Sequence, residues 1–263
     1  MITTNPFFEI STFASPIFMK SFVVLMILLV IVGTILDMLH KKNVKYFFEN
    51  SKKAKKSAIR NPGSLEKTSI IVKTVSKDIL TTSELGGKRR IAHLLGMYGT
   101  LIFWTTSIIM IFFYTSSNIT TNPVFPILWH LGAFMTFLGG SWFWFFLRVD
   151  VFAEAYPWYR IVKADLFVLS LVKTSVLALI WSFFQSINFY LFNIIFFILF
   201  SISNLILFGG VYWSKFAHMF YKPGAAIQKN LAEADGSRDN LPMPADKPKK
   251  FGLGIKREAP KHY

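Results

Sequence analysis

Five histidines and no cysteine bound the metal and redox chemistry open to this chain of 263 residues. Without thiols there is no disulfide, thiolate zinc, Cys-ligated iron–sulfur cluster, Cys nucleophile or covalent c-type haem. Imidazole remains the natural ligand. His262 stands at the extreme C-terminal end as a tail residue. His40 follows an apolar run beside Lys41 and Lys42, where an interfacial histidine is unremarkable, and it is the alternative ligand to the pair that follows. His93 lies three residues into another apolar run, and His218 lies five residues beyond Trp213, where the last such run ends. If that last helix continues, five residues add about 7–8 Å, and the two imidazoles reach matching depth near one surface. A six-coordinate b-type haem needs two neutral imidazoles in that relation. Gly96 and Gly99, one and two turns beyond His93, would let a flat macrocycle approach the backbone. The same spacing also suits two interfacial histidines beside Lys88, Arg89, Arg90 and Lys215.

His130 differs. It lies about 25 Å along its helix from the end nearest His93, by helical rise, so it cannot share a haem with His93. Met110 is at about the right depth to complete an outer His–Met haem with it. A histidine bonded to a neighbouring helix, or lining a quinone pocket, fits the position equally well. Two charges fall within one further apolar run. Asp165 is near its start and Lys173 near its middle, about 80° apart around a helix. Intramembrane charges are costly unless paired or wetted, which makes them functional candidates. Asp165 reads as support for a haem or interface, or as an interfacial cap or partner of Arg160. Lys173 is expected to face the bundle, toward a haem propionate, a quinone carbonyl or water.

The elements that must position these residues are membrane helices. Hydrophobic residues make up 53% of the chain and charged residues 16%, and the apolar residues fall in unbroken blocks. A span needs about 20 mostly apolar residues. Five segments qualify: Ser21–Leu39, Ile91–Tyr114, Val124–Leu147, Val162–Phe184 and Ile187–Trp213. The first lacks a small-residue cleavage site and is followed by Asp37, His40 and lysines, so it reads as a retained helix. The fold class expected is an all-α, polytopic bundle of five transmembrane helices.

Charge sets the expected orientation. His40–Arg90 carries 14 basic and 4 acidic residues, and Ser214–Tyr263 carries 10 and 5. Met1–Pro16, Thr115–Pro123 and Gln185–Ser186 carry no Lys or Arg. By the positive-inside rule the N-terminus is outside and the C-terminus cytoplasmic. Residues 1–221 then form the membrane domain, with a basic cytoplasmic loop at 40–90, and 222–263 form a cytoplasmic tail. Lysines interleaved with aromatics also occur in nucleic-acid binders. Beside a membrane helix, however, they read as a topology anchor that touches anionic lipid, with no nucleic-acid partner. Beyond Pro223 the tail reads as a short amphipathic start followed by an extended Pro-rich end.

Three runs carry a family resemblance over the last four helices. KRRIAHLLGMYG, ADLFVLSLV and WSKFAHMFYKP resemble motifs of the haem-b membrane subunits typified by the gamma subunit of respiratory nitrate reductase. In that family the two motif histidines, here His93 and His218, bind the haem nearest the soluble partner. The histidines of its second haem would fall at Phe103 and Phe200, so that haem is not expected in its usual form. His130 has no counterpart, and Lys173 replaces an apolar residue. The stretch SKFAHMFYKPGAAIQKNLAEADGSRDNLPMPADKP is similar to a narrower group, the membrane anchors that accompany dissimilatory adenylylsulfate reductase in sulfur-oxidising bacteria.

The resemblance implies a cell inner membrane protein with one haem b, or two if His130 and Met110 serve. It implies a cytoplasmic flavin and iron–sulfur partner that converts sulfite and AMP to adenylylsulfate and releases two electrons. This chain would pass those electrons to quinone; the sulfur chemistry would lie in the partner. Two other readings stay open. One is a cytochrome b subunit of a nitrate reductase or heterodisulfide-reductase-like complex. The other is a haem-free tether.

Overall fold

A computed structural model describes residues 2–115 and 120–238; the side chains of Asn43, Val149, Asp150 and His218 are outside that description, as are His262 and the Pro-rich end. Ten α-helices run through the described residues: α1 Pro6–Glu9, α2 Pro16–Lys41, α3 Asn43–Lys56, α4 Ser64–Lys73, α5 Gly87–Phe113, α6 Val124–Trp142, α7 Val149–Phe152, α8 Leu166–Ser186, α9 Tyr190–Gly209 and α10 His218–Asp235. There is no strand among the described residues. Five helices are long and apolar enough to cross a membrane: Pro16–Lys41, Gly87–Phe113, Val124–Leu147, Lys163–Ser186 and Tyr190–Gly209. The chain is an all-helical, multi-pass membrane protein.

The chain divides into two compact units, one of Met1–Asp37 with Ile91–Ala217, the other of Met38–Arg90 with the residues from His218 onward. The first unit is built as lipid solvent requires. Its interior is rich in small and hydroxylic residues, among them Thr100, Thr136, Ser170, Thr174, Ser175, Ser182 and Ser203, all buried. Leucine, isoleucine and phenylalanine cover the outside, for example Leu101, Ile108, Leu131, Phe134, Ile198 and Ile202. Hydrocarbon gives no hydrophobic reason to bury large side chains, so close backbone contact and interhelical hydrogen bonds hold the helices instead. Thr174 and Ser203 hydroxyls meet at 2.8 Å between α8 and α9. The indole N–H of Trp129 donates to Ser107 Oγ at 2.8 Å, and that of Trp181 donates to Asn193 Oδ1 at 2.8 Å.

The N-terminal residues close one end of this unit. Asn5 Nδ2 donates to the Tyr114 carbonyl and to Thr121 Oγ1, each at 3.1 Å. Gln185 Nε2 donates to the Pro6 carbonyl at 3.0 Å. Phe7 inserts edge-on between Trp129 and Trp181, with ring centroids 5.9 and 5.4 Å away. The N-terminus therefore shares one side with the α5–α6 and α8–α9 turns, as alternating spans require.

The second unit shows that the basic loop and the tail start are folded, and folded on each other. The last carbonyls of α10 are orphan acceptors that need partners. Asp235 O receives the backbone N–H of Ile59 at 2.9 Å and of Arg60 at 3.2 Å, and Ala234 O receives Arg60 Nε at 2.6 Å. One turn back, Asn230 Nδ2 bridges Thr74 Oγ1 at 2.8 Å and Asp78 Oδ2 at 2.9 Å. Arg60 also grips Glu66 through two bonds, at 2.6 and 3.1 Å. Segments this far apart in sequence can pack together only on one side of a membrane, so an even number of crossings lies between them. Four of the five spans do.

Two expectations on helix ends change. The last span stops at Gly209 instead of running to Trp213 and on to His218. Gly210 N–H bonds to Ile206 O at 2.9 Å, and Trp213 and Ser214 N–H then turn back onto Gly210 O at 3.1 and 2.9 Å. His218 opens a new helix, α10, which includes Pro223 in its second turn and so begins before the expected amphipathic start. Pro223 lies past the first turn, so the Met219 carbonyl goes without the i→i−4 bond it would otherwise receive.

Candidate functional site

The outer candidates, His130 and Met110, are both buried, but in a packed interior. Pro126 O can only accept, so the His130 Nδ1–H donates to it, at 2.7 Å. In the neutral ring Nε2 then carries the lone pair, and it receives the Ser182 hydroxyl at 2.7 Å. Ligation of iron would require that lone pair. Met110 is fully buried in a cluster with Phe7, Phe103, Trp129, Trp181 and Phe200. The outer His–Met haem does not fit this arrangement: the imidazole is committed at both nitrogens, and the surrounding volume is filled by rings. His130 instead ties α6 to α8, the hydrogen-bonded alternative open from the sequence.

The positions matching the family's second haem meet across the bundle. Phe103 and Phe200 ring centroids are 6.3 Å apart, edge to face. Trp129 lies 5.2 Å from Phe103, and Trp181 stacks 5.5 Å from Phe200. Each such pair contributes about 0.5–1.5 kcal/mol beyond area burial. The two helices thus carry these residues to one place, with aromatic packing in it.

Gly99 packs into a seam with α6, in which Gly139 meets the Gly96 backbone, while the side-chain direction of Gly96 itself is open, with nothing within 4 Å of a Cβ there. A Cβ on Gly99 would meet Thr136 N at 2.6 Å, one on Gly132 would meet Phe103 N at 2.6 Å, and one on Gly139 would meet Gly96 N at 2.5 Å. This is the small-residue contact by which membrane helices bring their backbones together. It leaves no room for a macrocycle along Gly99.

His93 is exposed on α5 in the first unit, and His40 is exposed near the end of α2. His218 belongs to the second unit, and its side chain lies outside the description. The helical continuation used to match the depths of His93 and His218 does not exist, so the pairing rests on the motifs around the two residues. Arg90 Nε donates to the Thr81 carbonyl at 2.8 Å within the second unit. Among the described residues no three His, Asp or Glu side chains converge as a metal site.

Asp165 has a defined partner, which is Arg148. Arg148 Nη1 reaches Asp165 Oδ2 at 3.0 Å, and the side chains are 4% and 18% exposed. Arg148 Nη2 donates to the carbonyls of Arg160 at 2.7 Å and Trp158 at 2.8 Å. Its guanidinium also lies 3.8 Å from the Trp144 ring centroid. Asp165 Oδ2 in turn receives the Val162 N–H at 3.0 Å. Five donors in a fixed fork suit arginine to gathering several loop carbonyls at once. Arg148 escaped sequence reasoning, although a signal was present: a lone arginine closes the third span as an aspartate opens the fourth.

Lys173 is exposed on the outer face of α8, not turned into the bundle. Thr174 and Ser175, its neighbours in sequence, take the inward positions. No known protein family, characterised protein or solved structure matches this chain.

Proposed function

We propose that this chain is the membrane anchor of a cytoplasmic oxidoreductase and that the folded basic unit is the surface on which the enzyme docks. One observation carries the reading: the two basic segments, which a linker role would leave apart, are joined through α10, Ile59, Arg60, Thr74 and Asp78. The positive-inside rule assigns that unit to the cytoplasm and the Asn5–Gln185 end to the outside. By resemblance the partner is a flavin and iron–sulfur protein of the adenylylsulfate reductase type, and the membrane is the cell inner membrane.

In this reading His93 and His218 would hold one b haem. Such a haem supplies one-electron transfer between a soluble donor and a membrane quinone. This chain's own residues would supply two imidazoles and a membrane address. A haem-free tether is the second reading, favoured by the aromatic filling at Phe103 and Phe200 and the sealed His130.

An optical spectrum of the purified protein separates the two. A bis-histidine b-haem spectrum lost in both His93→Ala and His218→Ala supports the conduit. Loss in one variant alone would make His40 the second ligand. Absence of a reducible Soret band in the wild-type protein, with the partner still bound, leaves the tether. Failure of any soluble oxidoreductase to copurify would overturn the anchor role itself.

A further inference from the structure

Lys173 presents a charge to hydrocarbon with no partner among the described residues. It is exposed midway along the span Lys163–Ser186, and no hydrogen bond or ion pair joins it to any described residue. Ten residues separate it from Lys163 and thirteen from Ser186, distances of about 15 and 20 Å by helical rise. Helical side chains lean toward the N-terminus, here toward Lys163. A four-carbon stem nonetheless covers less than half the distance to that end, so snorkelling does not bring the ammonium to the headgroups. A lipid-facing lysine at this depth is disfavoured by about a hundredfold even on the mildest scales.

The rest of this helix face is apolar and spaced for helix pairing. Leu166, Leu169, Lys173, Val176, Ile180 and Phe183 follow one another at alternating steps of three and four residues, the spacing of a helix–helix seam. Leu166 and Phe183 are exposed, Leu169, Val176 and Ile180 are half-buried, and the buried residues Ser170, Leu171, Thr174, Ser175, Ala178 and Trp181 occupy the other side. Lys173 is the single charged position in the stripe.

The chain cannot supply the missing partner from a second copy of itself. A two-fold axis through this face would set two Lys173 side chains against each other. A head-to-tail contact would need a lipid-facing carboxylate within a span. The spans hold two carboxylates: Asp37 is buried at 1% exposure, and Asp165 is held by Arg148. Charge complementarity therefore requires a different chain.

We propose that the Lys173 face of α8 docks a transmembrane helix of a second membrane protein, one carrying an Asp or Glu at matching depth. The proposal does not depend on the haem or on the soluble partner. A photoreactive residue at Val176 of the full chain, activated in membranes of the native host, tests it. The expected result is a cross-link to a membrane protein with a carboxylate inside a span. Lys173→Met should lower its yield about tenfold or more, as the scale of a midplane charge implies. Lys173→Glu combined with lysine at the partner's carboxylate should restore the yield. Cross-links to lipid alone, to a second copy, or to a protein without an intramembrane acid would overturn the proposal. So would an exchange of charges that fails to restore the cross-link while both proteins insert normally.

Discussion

Arg148→Met should be among the most destabilising single substitutions in the membrane unit. It keeps an apolar stem against Trp144 and removes the guanidinium. Three things are lost together: the ion pair to Asp165 at 3.0 Å and the bonds to the Trp158 and Arg160 carbonyls at 2.8 and 2.7 Å. Removing one partner of a buried pair costs about 3–5 kcal/mol. Hydrogen bonds from a charged donor are each worth about 1.5–3 kcal/mol net. These contributions overlap, since the first already includes stranded acceptors, so a total near about 4 kcal/mol is expected. Asp165→Asn is milder because Asp165 is 18% exposed and the amide still accepts a hydrogen bond; about 1–2 kcal/mol is expected. In the double variant the two losses should fall short of their sum by about 1–2 kcal/mol, since the sites share one network. Equilibrium unfolding of the detergent-solubilised protein measures all three. Proteolysis between Ala153 and Lys163 gives the local readout, because Arg148 holds that connection by its carbonyls. A loss under about 0.5 kcal/mol for Arg148→Met, or strict additivity in the cycle, would refute this account of the loop.

The glycine seam predicts opposite outcomes for neighbouring substitutions. Gly139→Ala places a methyl 2.5 Å from Gly96 N and 2.6 Å from Ala92 O, backbone atoms that cannot rotate away, so yield of folded protein should fall sharply; Gly96→Ala meets nothing within 4 Å and should be neutral or stabilising by up to about 1 kcal/mol. Size-exclusion profiles and thermal unfolding of the two variants would expose an error if they behave alike. Asp78 predicts a pH dependence in the second unit. The Ser83 hydroxyl at 2.6 Å, then Asn230 at 2.9 Å and the charges of Lys229 and Lys77, hold its carboxyl below the ordinary carboxylate value despite opposing desolvation. A depressed folded-state pKa gives stability that is present above the unfolded value and lost as pH falls through the folded one. Protection of α10 amides in hydrogen exchange should therefore weaken below about pH 4, and Asp78→Asn should remove that dependence.

Much of the membrane architecture is legible without coordinates, because the bilayer imposes a one-dimensional rule. Every spanning segment must satisfy its backbone internally and be apolar over the hydrocarbon thickness. Hydropathy delimits Val124–Leu147 to the residue, and the other four spans within a few positions at most ends. The first span begins five residues before its expected start, and the last ends four residues sooner than expected, since Val211, Tyr212 and Trp213 are apolar enough to extend a helix. Hydropathy cannot see the Gly209–Gly210 turn that ends it.

Which side of a helix a residue faces needed the tertiary structure. Lipid and protein interior are similarly apolar, so no polar face marks the outside of a membrane helix as it does in water. Lys173 faces out although its charge suggested in, and Gly99 faces α6 although its size suited a flat ligand. The pairing of Arg148 with Asp165, of His130 with Ser182, and of the basic loop with α10 depends on contacts distant in sequence. Composition and charge by themselves determined that the chain is helical, membrane-spanning and asymmetric in charge. Only the packed structure decided which polar groups are satisfied among the described residues.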